Sequence, residues 1–170
     1  EGLQLTAARR MAFPALARVR PTTVLEDVSV PRSRLVDMVQ AVRRVAAESG
    51  LMIGTFGHAG AGNLHPTILL DERDQDEVRR MERAFEQICQ TALELGGSLT
   101  GEHGVGLLKR DFLERFTDPG ALEMMRRFRS VMDPRQVLNP GKLFQQRPRR
   151  EGQLPVHNGQ CQPLLEGLRP

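Results

Sequence analysis

The residues best equipped for chemistry sit in two short glycine-rich segments. Three of the four histidines fall within Gly57-His58-Ala59-Gly60-Ala61-Gly62-Asn63-Leu64-His65 and Gly101-Glu102-His103-Gly104-Val105-Gly106. His58 and His65 are seven residues apart, a spacing that would share one face of a helix, but Gly57, Gly60, Gly62 and Pro66 deny a helix there. The two rings must therefore meet across a turn. If Asn63 opens a strand, the period of two puts Asn63, His65 and Thr67 on one face and Leu64, Ile68 and Leu70 on the other. His58, ending the preceding strand, can then face His65. Glu102 follows a short candidate strand and can approach the same corner. Two imidazoles and one carboxylate, with a fourth position open, make the ligand set of a catalytic metal site. The alternative is that each histidine hydrogen-bonds backbone within its own turn.

A glycine-rich loop can also cradle phosphate, and the spacing is poor for that. Gly57, Gly60 and Gly62 give GxxGxG rather than GxGxxG, and no Lys-Ser/Thr pair follows either segment as a P-loop requires. Glycine here instead lets backbone approach a large flat ligand or turn sharply, and Ala61 is small enough for either.

The elements that must position these residues can be read from periodicity. Val24 to Val30 reads as one strand closed by Pro31. A helix follows from Ser33 as N-cap, with apolar Leu35, Met38, Val39, Val42, Val45 and Ala46, and Gly50 supplies a left-handed stop. Leu51 to Gly57 and Leu64 to Leu70 read as adjacent strands. Asp74 caps the longest helix, whose Val78, Met81, Phe85, Ile88, Ala92 and Leu95 alternate spacings of three and four. Gly96 and Gly97 end it, and Gly97 to Thr100 is a candidate final strand. The order β-α-β-β-α-β is the split βαβ, or ferredoxin-like, arrangement: an α+β fold with an antiparallel sheet covered on one face by two helices. Two appended helices are expected at Leu107 to Phe116 and Pro119 to Met132, the second with Asp118 as cap and Pro119 at its first position.

With 170 residues the chain is long enough for one domain, assigned to 1–144, and a tail over 145–170 that is expected to be disordered. No apolar run approaches the roughly 18 residues that span a bilayer, and Glu1 to Leu16 is too charged for a signal peptide. The chain starts without methionine, which reads as an N-terminally incomplete fragment or a processed product. A sequence pI near 9.5 raises nucleic-acid binding, but Arg147, Arg149, Arg150 and Arg169 against Glu151 and Glu166 put most of the +3 charge in the tail. With no Trp and no Tyr, the body also lacks the stacking platform of single-strand binders. Two cysteines, Cys89 in a helical pattern and Cys161 in the tail, argue against a disulfide framework and for a reducing, cytoplasmic compartment.

Three motifs carry a resemblance. GHAGAGNLHP (Gly57 to Pro66), TGEHGVGLLKR (Thr100 to Arg110) and LNPGKLF (Leu138 to Phe144) resemble, in order and spacing, the C-terminal domain of FAD-linked oxidases, the glycolate oxidase FAD-binding subunit and D-lactate and D-2-hydroxyacid dehydrogenases among them. Arg9-Arg10 followed by Glu26-Asp27-Val28-Ser29-Val30-Pro31 is similar as well. The resemblance covers about Leu5 to Phe144 and implies that His58, His65 and Glu102 hold a divalent zinc, manganese or iron ion beside the flavin. It further implies that His103 takes the substrate's hydroxyl proton, that Arg9, or with less support Arg10, grips the substrate carboxylate, and that Asn63 lines the same pocket. Asn139 and Lys142 match positions near FAD, or simply a turn ending the last helix, and Gly60 and Gly104 offer backbone edges to the flavin. The family pattern is usually GHxGDGN, so Ala61 stands where an Asp is expected.

The resemblance also implies that the flavin is held mainly by a domain outside these residues. The chain is then expected to supply the substrate half of a flavin-dependent 2-hydroxy-acid oxidoreductase, inactive alone, with a small 2-hydroxy acid as substrate and glycolate or D-lactate as the nearest models. Its expected partners are an FAD-binding domain and further oxidase subunits, through which any membrane association would run. His103 is expected beside the metal but on the opposite side of the backbone if its segment is extended. The rival readings are a flavin-independent metal hydrolase or oxygenase using the same His/His/Glu set, and a ferredoxin-like binding module whose histidines are structural.

Overall fold

The computed structural model describes residues 2–144, with the side chains of 2–6, 8 and 9 left aside; the tail expected over 145–170 lies outside the described residues. The chain divides into two compact units, Glu1–His103 and a second from Gly104 onward.

In the first unit the order is α1 (Gly2–Ala17), β1 (Thr22–Leu25), β2 (Val28–Ser29), α2 (Leu35–Ser49), β3 (Met52–His58), β4 (Asn63–Leu70) and α3 (Gln75–Glu94). Strand β4 is central, paired antiparallel with β3 on one side and with β1 and β2 on the other. Ser29 and Ser98 exchange backbone hydrogen bonds of 3.2 and 2.8 Å, so the candidate final strand is reduced to one antiparallel bridge in the expected place. This is the split βαβ order of an α+β fold, with α2 and α3 on one face. Phe85, Met38, Ile68, Met81, Ile88 and Val42 form the fully buried centre.

The strand expected over Val24 to Val30 is broken at Glu26 and Asp27. Leu25 opposes Thr67 and Val28 opposes Leu64, so one unbroken register sets Glu26 against Pro66 and Asp27 against His65. Glu26 donates its amide to the Pro66 carbonyl at 2.8 Å, and Pro66, lacking an N–H, cannot return the bond. The ladder therefore opens at these two residues without a change of register.

Asp74 caps α3 as expected, accepting from the amides of Asp76 and Glu77, and Gly50 ends α2 in the left-handed conformation. Ser33 does not cap α2: residues Arg32–Arg34 form a 3-10 turn, and no side chain bonds the helix start. Helix α1 was not foreshadowed by any amphipathic stripe, since its apolar residues surround it. Its Phe13 ring meets Phe56 edge-on at 6.4 Å and its Leu16 lies over Gly54. All eight residues of β4 are buried, because α2 and α3 cover one face while α1 and the segment after Ser98 cover the other.

The turn between β3 and β4 depends on Gly62, at φ 75°, where an added Cβ would lie 2.1 Å from the Val30 carbonyl oxygen. By contrast, a Cβ at Gly60 would meet nothing within 4 Å. Gly62→Ala is therefore expected to destabilise the fold by about 3 kcal/mol or more, and Gly60→Ala by less than about 0.5 kcal/mol, as read from urea midpoints. Equal losses at both positions would contradict this account of the turn.

The second unit holds α4 (Arg110–Phe116) and α5 (Pro119–Met132). Helix α5 has the expected bounds, with Asp118 accepting from the Ala121 amide at 3.0 Å. Helix α4 begins at Arg110, not Leu107, because Gly106 at φ 58° and the residues after it form a turn.

Candidate metal centre

The site is built on two neighbouring rows across the sheet. One row is Phe56, His65 and, by the register, Asp27; the next is His58, Asn63 and Ser29. The antiparallel pairing thus brings His58 and His65 to one face on adjacent strands, as their spacing across a glycine turn requires. The segment after the Ser29–Ser98 bridge brings Glu102 and His103 over the same rows.

Glu102 Oε1 stands 3.3 Å from His58 Nε2 and 3.2 Å from His65 Nε2. Ligand atoms in a tetrahedron around an ion at about 2.0 to 2.1 Å are separated by about 3.3 Å, so both contacts of Glu102 Oε1 already have that spacing, and the three donor atoms all lie within 4.8 Å of one another. His65 is buried, whereas His58, Glu102 and His103 are nearly half exposed, so the corner has a solid floor and an open side.

Among the described residues two groups of side chains have ligand atoms close enough to share an ion: His58, His65 and Glu102, or Asp27, His65 and His103. Ring orientation separates them. An imidazole lone pair lies in the ring plane, so an ion shared by two histidines must lie near both planes. His58 and His65 are 89° apart, with centroids at 5.6 Å, and their planes intersect. His65 and His103 are stacked 10° from parallel with centroids at 4.8 Å, and no nearby point lies in both planes. Geometry therefore favours the first group, and His103 stands beside it with its Nε2 3.8 Å from Glu102 Oε1.

His103 is not on the far side of the backbone from Glu102, as an extended segment would put it. The segment bends around Asp27, whose Oδ2 accepts from Thr100 Oγ1 at 2.6 Å and from the amides of Gly101, Glu102 and His103 at 2.9, 2.9 and 2.8 Å. Asp27 Oδ1 lies 3.7 Å from His65 Nδ1. This buried carboxylate is the residue that pattern reading leaves without a role. Its signal was present all the same: two adjacent acids inside a β-branched run must turn at least one carboxylate toward a sheet face.

The other expected site residues are distributed as follows. Asn63 is buried with its amide against Gly101, where a Cβ would come within 2.4 Å of Asn63 Oδ1, and that oxygen has no hydrogen-bond partner among the described residues. Arg9 and the exposed Arg10 lie in α1, Arg9 one helical turn before Phe13. Phe13 contacts Phe56, whose ring lies 5.7 Å from that of His65. Gly60 and Ala61 form an exposed 3-10 turn after β3.

Gly104, Asn139 and Lys142 belong to the second unit. Gly104 has φ 80° and open space at its Cβ position. Asn139 and Gly141 are both left-handed, and the turn around them is tied down by Asp133, which accepts from the amides of Val137 and Leu138, and by Arg129 and Arg110, which donate to the carbonyls of Leu138 and Gly141. LNPGK is thus a pinned turn after the last helix.

Comparison with known proteins gives a consistent result. The family model described as FAD linked oxidases, C-terminal domain, matches residues 1–143. The chain is 51% identical over 144 residues to glycolate oxidase subunit GlcD of Bacillus subtilis, covering 85% of this chain and 31% of that protein. It is 36% identical over 143 residues to the mitochondrial D-lactate dehydrogenase (cytochrome) of Arabidopsis thaliana, covering 83% of this chain and 25% of that protein. It is also 32% identical over 129 residues to D-2-hydroxyglutarate dehydrogenase of Haemophilus influenzae, covering 76% and 12%. The chain therefore spans about a third or less of these relatives. With the family model matching nearly all of the described residues, the chain belongs to the FAD linked oxidase C-terminal domain family.

Proposed function

We propose that the chain is the substrate- and metal-binding part of a flavin-dependent oxidoreductase acting on a small 2-hydroxy acid. The observation that carries the reading is Glu102 Oε1 lying 3.2 to 3.3 Å from the Nε2 atoms of two rings with crossed planes. The donor set fits a divalent ion, and two imidazoles with one carboxylate suit zinc, manganese or iron. Such an ion, when bound, supplies Lewis acidity to the hydroxyl and carboxylate oxygens of the substrate. FAD, when bound, supplies the acceptor for the hydride that leaves C2.

The residues of this chain do the rest. His103, half exposed and stacked on the buried His65, takes the hydroxyl proton at an imidazole nitrogen and can pass it to water. Arg9 grips the carboxylate from α1, the helix whose Phe13 meets Phe56. Arg10 is the poorer candidate. Asn63, buried beneath Gly101, backs the same corner, and Gly60, Gly104, Asn139 and Lys142 offer contacts to the flavin. The named substrates of the relatives, glycolate, D-lactate and D-2-hydroxyglutarate, share a hydroxyl on the carbon next to a carboxylate, and that unit is what this constellation would hold. The reading includes an FAD-binding domain and further oxidase subunits as partners in the cytoplasm. No helix among the described residues is long and apolar enough to cross a membrane.

The test is a chimera in which this chain replaces the matching third of the Bacillus subtilis GlcD relative, assayed beside the chain alone. The chimera is expected to hold flavin and oxidise glycolate or D-lactate. The 170 residues alone are expected to do neither, since tight sites bury roughly 70 to 90% of a ligand and the antiparallel sheet of this chain is not a dinucleotide fold. Turnover by the chain without flavin, or a flavin-loaded chimera inert toward every 2-hydroxy acid, would contradict the reading.

A further inference from the structure

We propose that Asp27 is the positioning residue of this site, a single buried carboxylate that sets the two halves of the ligand cluster against each other. The inference rests on the metal reading above for its zinc readout and on hydrogen bonding alone for the other. His58 and His65 come from a β hairpin, while Glu102 and His103 come from a segment joined to the sheet through the Ser29–Ser98 bridge. Nothing in the hairpin itself dictates where Glu102 points. Asp27 supplies that link, because it sits in the break between β1 and β2, opposite His65 in the register, and gathers three consecutive backbone amides and a hydroxyl on one oxygen.

Three successive N–H groups converging on one anion form a nest, a geometry that fixes the backbone carrying them. In this nest the carboxylate comes from the protein, so the residues on either side of it are fixed too. Glu102 and His103 project from the nest on the side of His65, which accounts for the contacts of both with that ring. The second oxygen of Asp27 faces His65 Nδ1 at 3.7 Å, too far for a hydrogen bond but close enough to put a negative charge behind the ring. Nε2, on the opposite edge of the same ring, is the atom that faces Glu102. A carboxylate behind a ligating histidine raises its affinity for metal.

Asp27 is itself an unsuitable ligand. It is about 1% exposed, its Oδ2 is already surrounded by donors, and His65 and His103, the rings it would share an ion with, are parallel. Its effect is exerted through Glu102, His103 and His65.

The experiment is zinc titration of the intact chain together with amide hydrogen exchange, on the wild type, Asp27→Ala and Asp27→Asn. Asp27→Ala is expected to weaken zinc binding by about 10- to 100-fold. It is also expected to speed exchange at the amides of Gly101, Glu102 and His103 by about tenfold or more, while the β3 and β4 amides keep wild-type rates. Asp27→Asn keeps the size and one oxygen for the loop amides but offers His65 a neutral amide, so zinc should still bind about tenfold more weakly with the loop largely protected. A role confined to general stability would leave the zinc affinity of the folded variants unchanged. Wild-type zinc affinity in both variants, or wild-type exchange at the three amides in Asp27→Ala, overturns the proposal. If Asp27→Ala does not fold, the zinc affinity of Asp27→Asn decides in the same two directions. If the wild-type chain takes up no zinc, the metal reading fails by itself, and the exchange rates still decide whether Asp27 positions the loop.

Discussion

His103→Asn in a flavin-loaded enzyme containing this chain is expected to lower kcat by about 10²- to 10⁴-fold, the range that one general base contributes, with metal and flavin content unchanged. The expectation follows from two features of the ring. It is stacked parallel to His65, so its lone pairs do not converge with those of His65 on one ion, and losing it removes no ligand. It is also nearly half exposed, so a proton taken from substrate has a way out. Asn keeps a polar atom near the position of Nδ1 but cannot accept a proton near neutral pH. The matching check is metal analysis of the same sample. Loss of metal together with activity would move His103 into the ligand set and undo its assignment as base.

Glu102→Ala is expected to have the largest effect on the metal. Its Oε1 is the atom common to both close contacts with the imidazoles, so removing it leaves two nitrogens from crossed rings and no anionic ligand. Zinc affinity should fall by more than about 100-fold, beyond the 10- to 100-fold typical of residues that only support ligands. His58→Ala should behave similarly, and His103→Asn should stay close to the wild type. Titration calorimetry on the folded variants reads all three. Full metal occupancy in both Glu102→Ala and His58→Ala would show that the ion, if any, sits elsewhere.

The hairpin half of this site is legible in the sequence because glycine and proline leave so few options. Gly57, Gly60, Gly62 and Pro66 exclude a helix, and a strand from Asn63 then fixes which residues share a face with His65. Helix α3 and the cap of α5 are equally readable, since Asp74 and Asp118 act on amides two or three residues away. What cannot be read is what depends on distant backbone. Asp27 bonds residues 73 to 76 positions on, mostly through amides that every sequence has, so no side-chain pattern announces it. The same bonds curl the segment that an extended reading would leave straight, which is why His103 falls on the side of Glu102. The break between β1 and β2 is caused by Pro66 on the neighbouring strand and is invisible from Val24 to Val30 alone. Helix α1 is not legible because it has no apolar stripe, and neither is the start of α4, because Leu107 and Leu108 resemble a helical turn while forming an ordinary one.

Helix α5 and the turn after it carry exposed apolar side chains. Met124, Phe128, Val131, Met132, Val137 and Leu138 are all more than half exposed. An apolar surface of that kind favours self-association.

The central claim is that His58, His65 and Glu102 hold one divalent ion, and anomalous X-ray scattering from crystals of the zinc-soaked chain tests it most directly. The account predicts a single strong peak at the zinc edge within about 2.0 to 2.2 Å of His58 Nε2, His65 Nε2 and a Glu102 oxygen, with His103 and Asp27 outside that distance. A peak bound by Asp27, His65 and His103 instead, or no peak at this corner at zinc concentrations that saturate binding in solution, would contradict it.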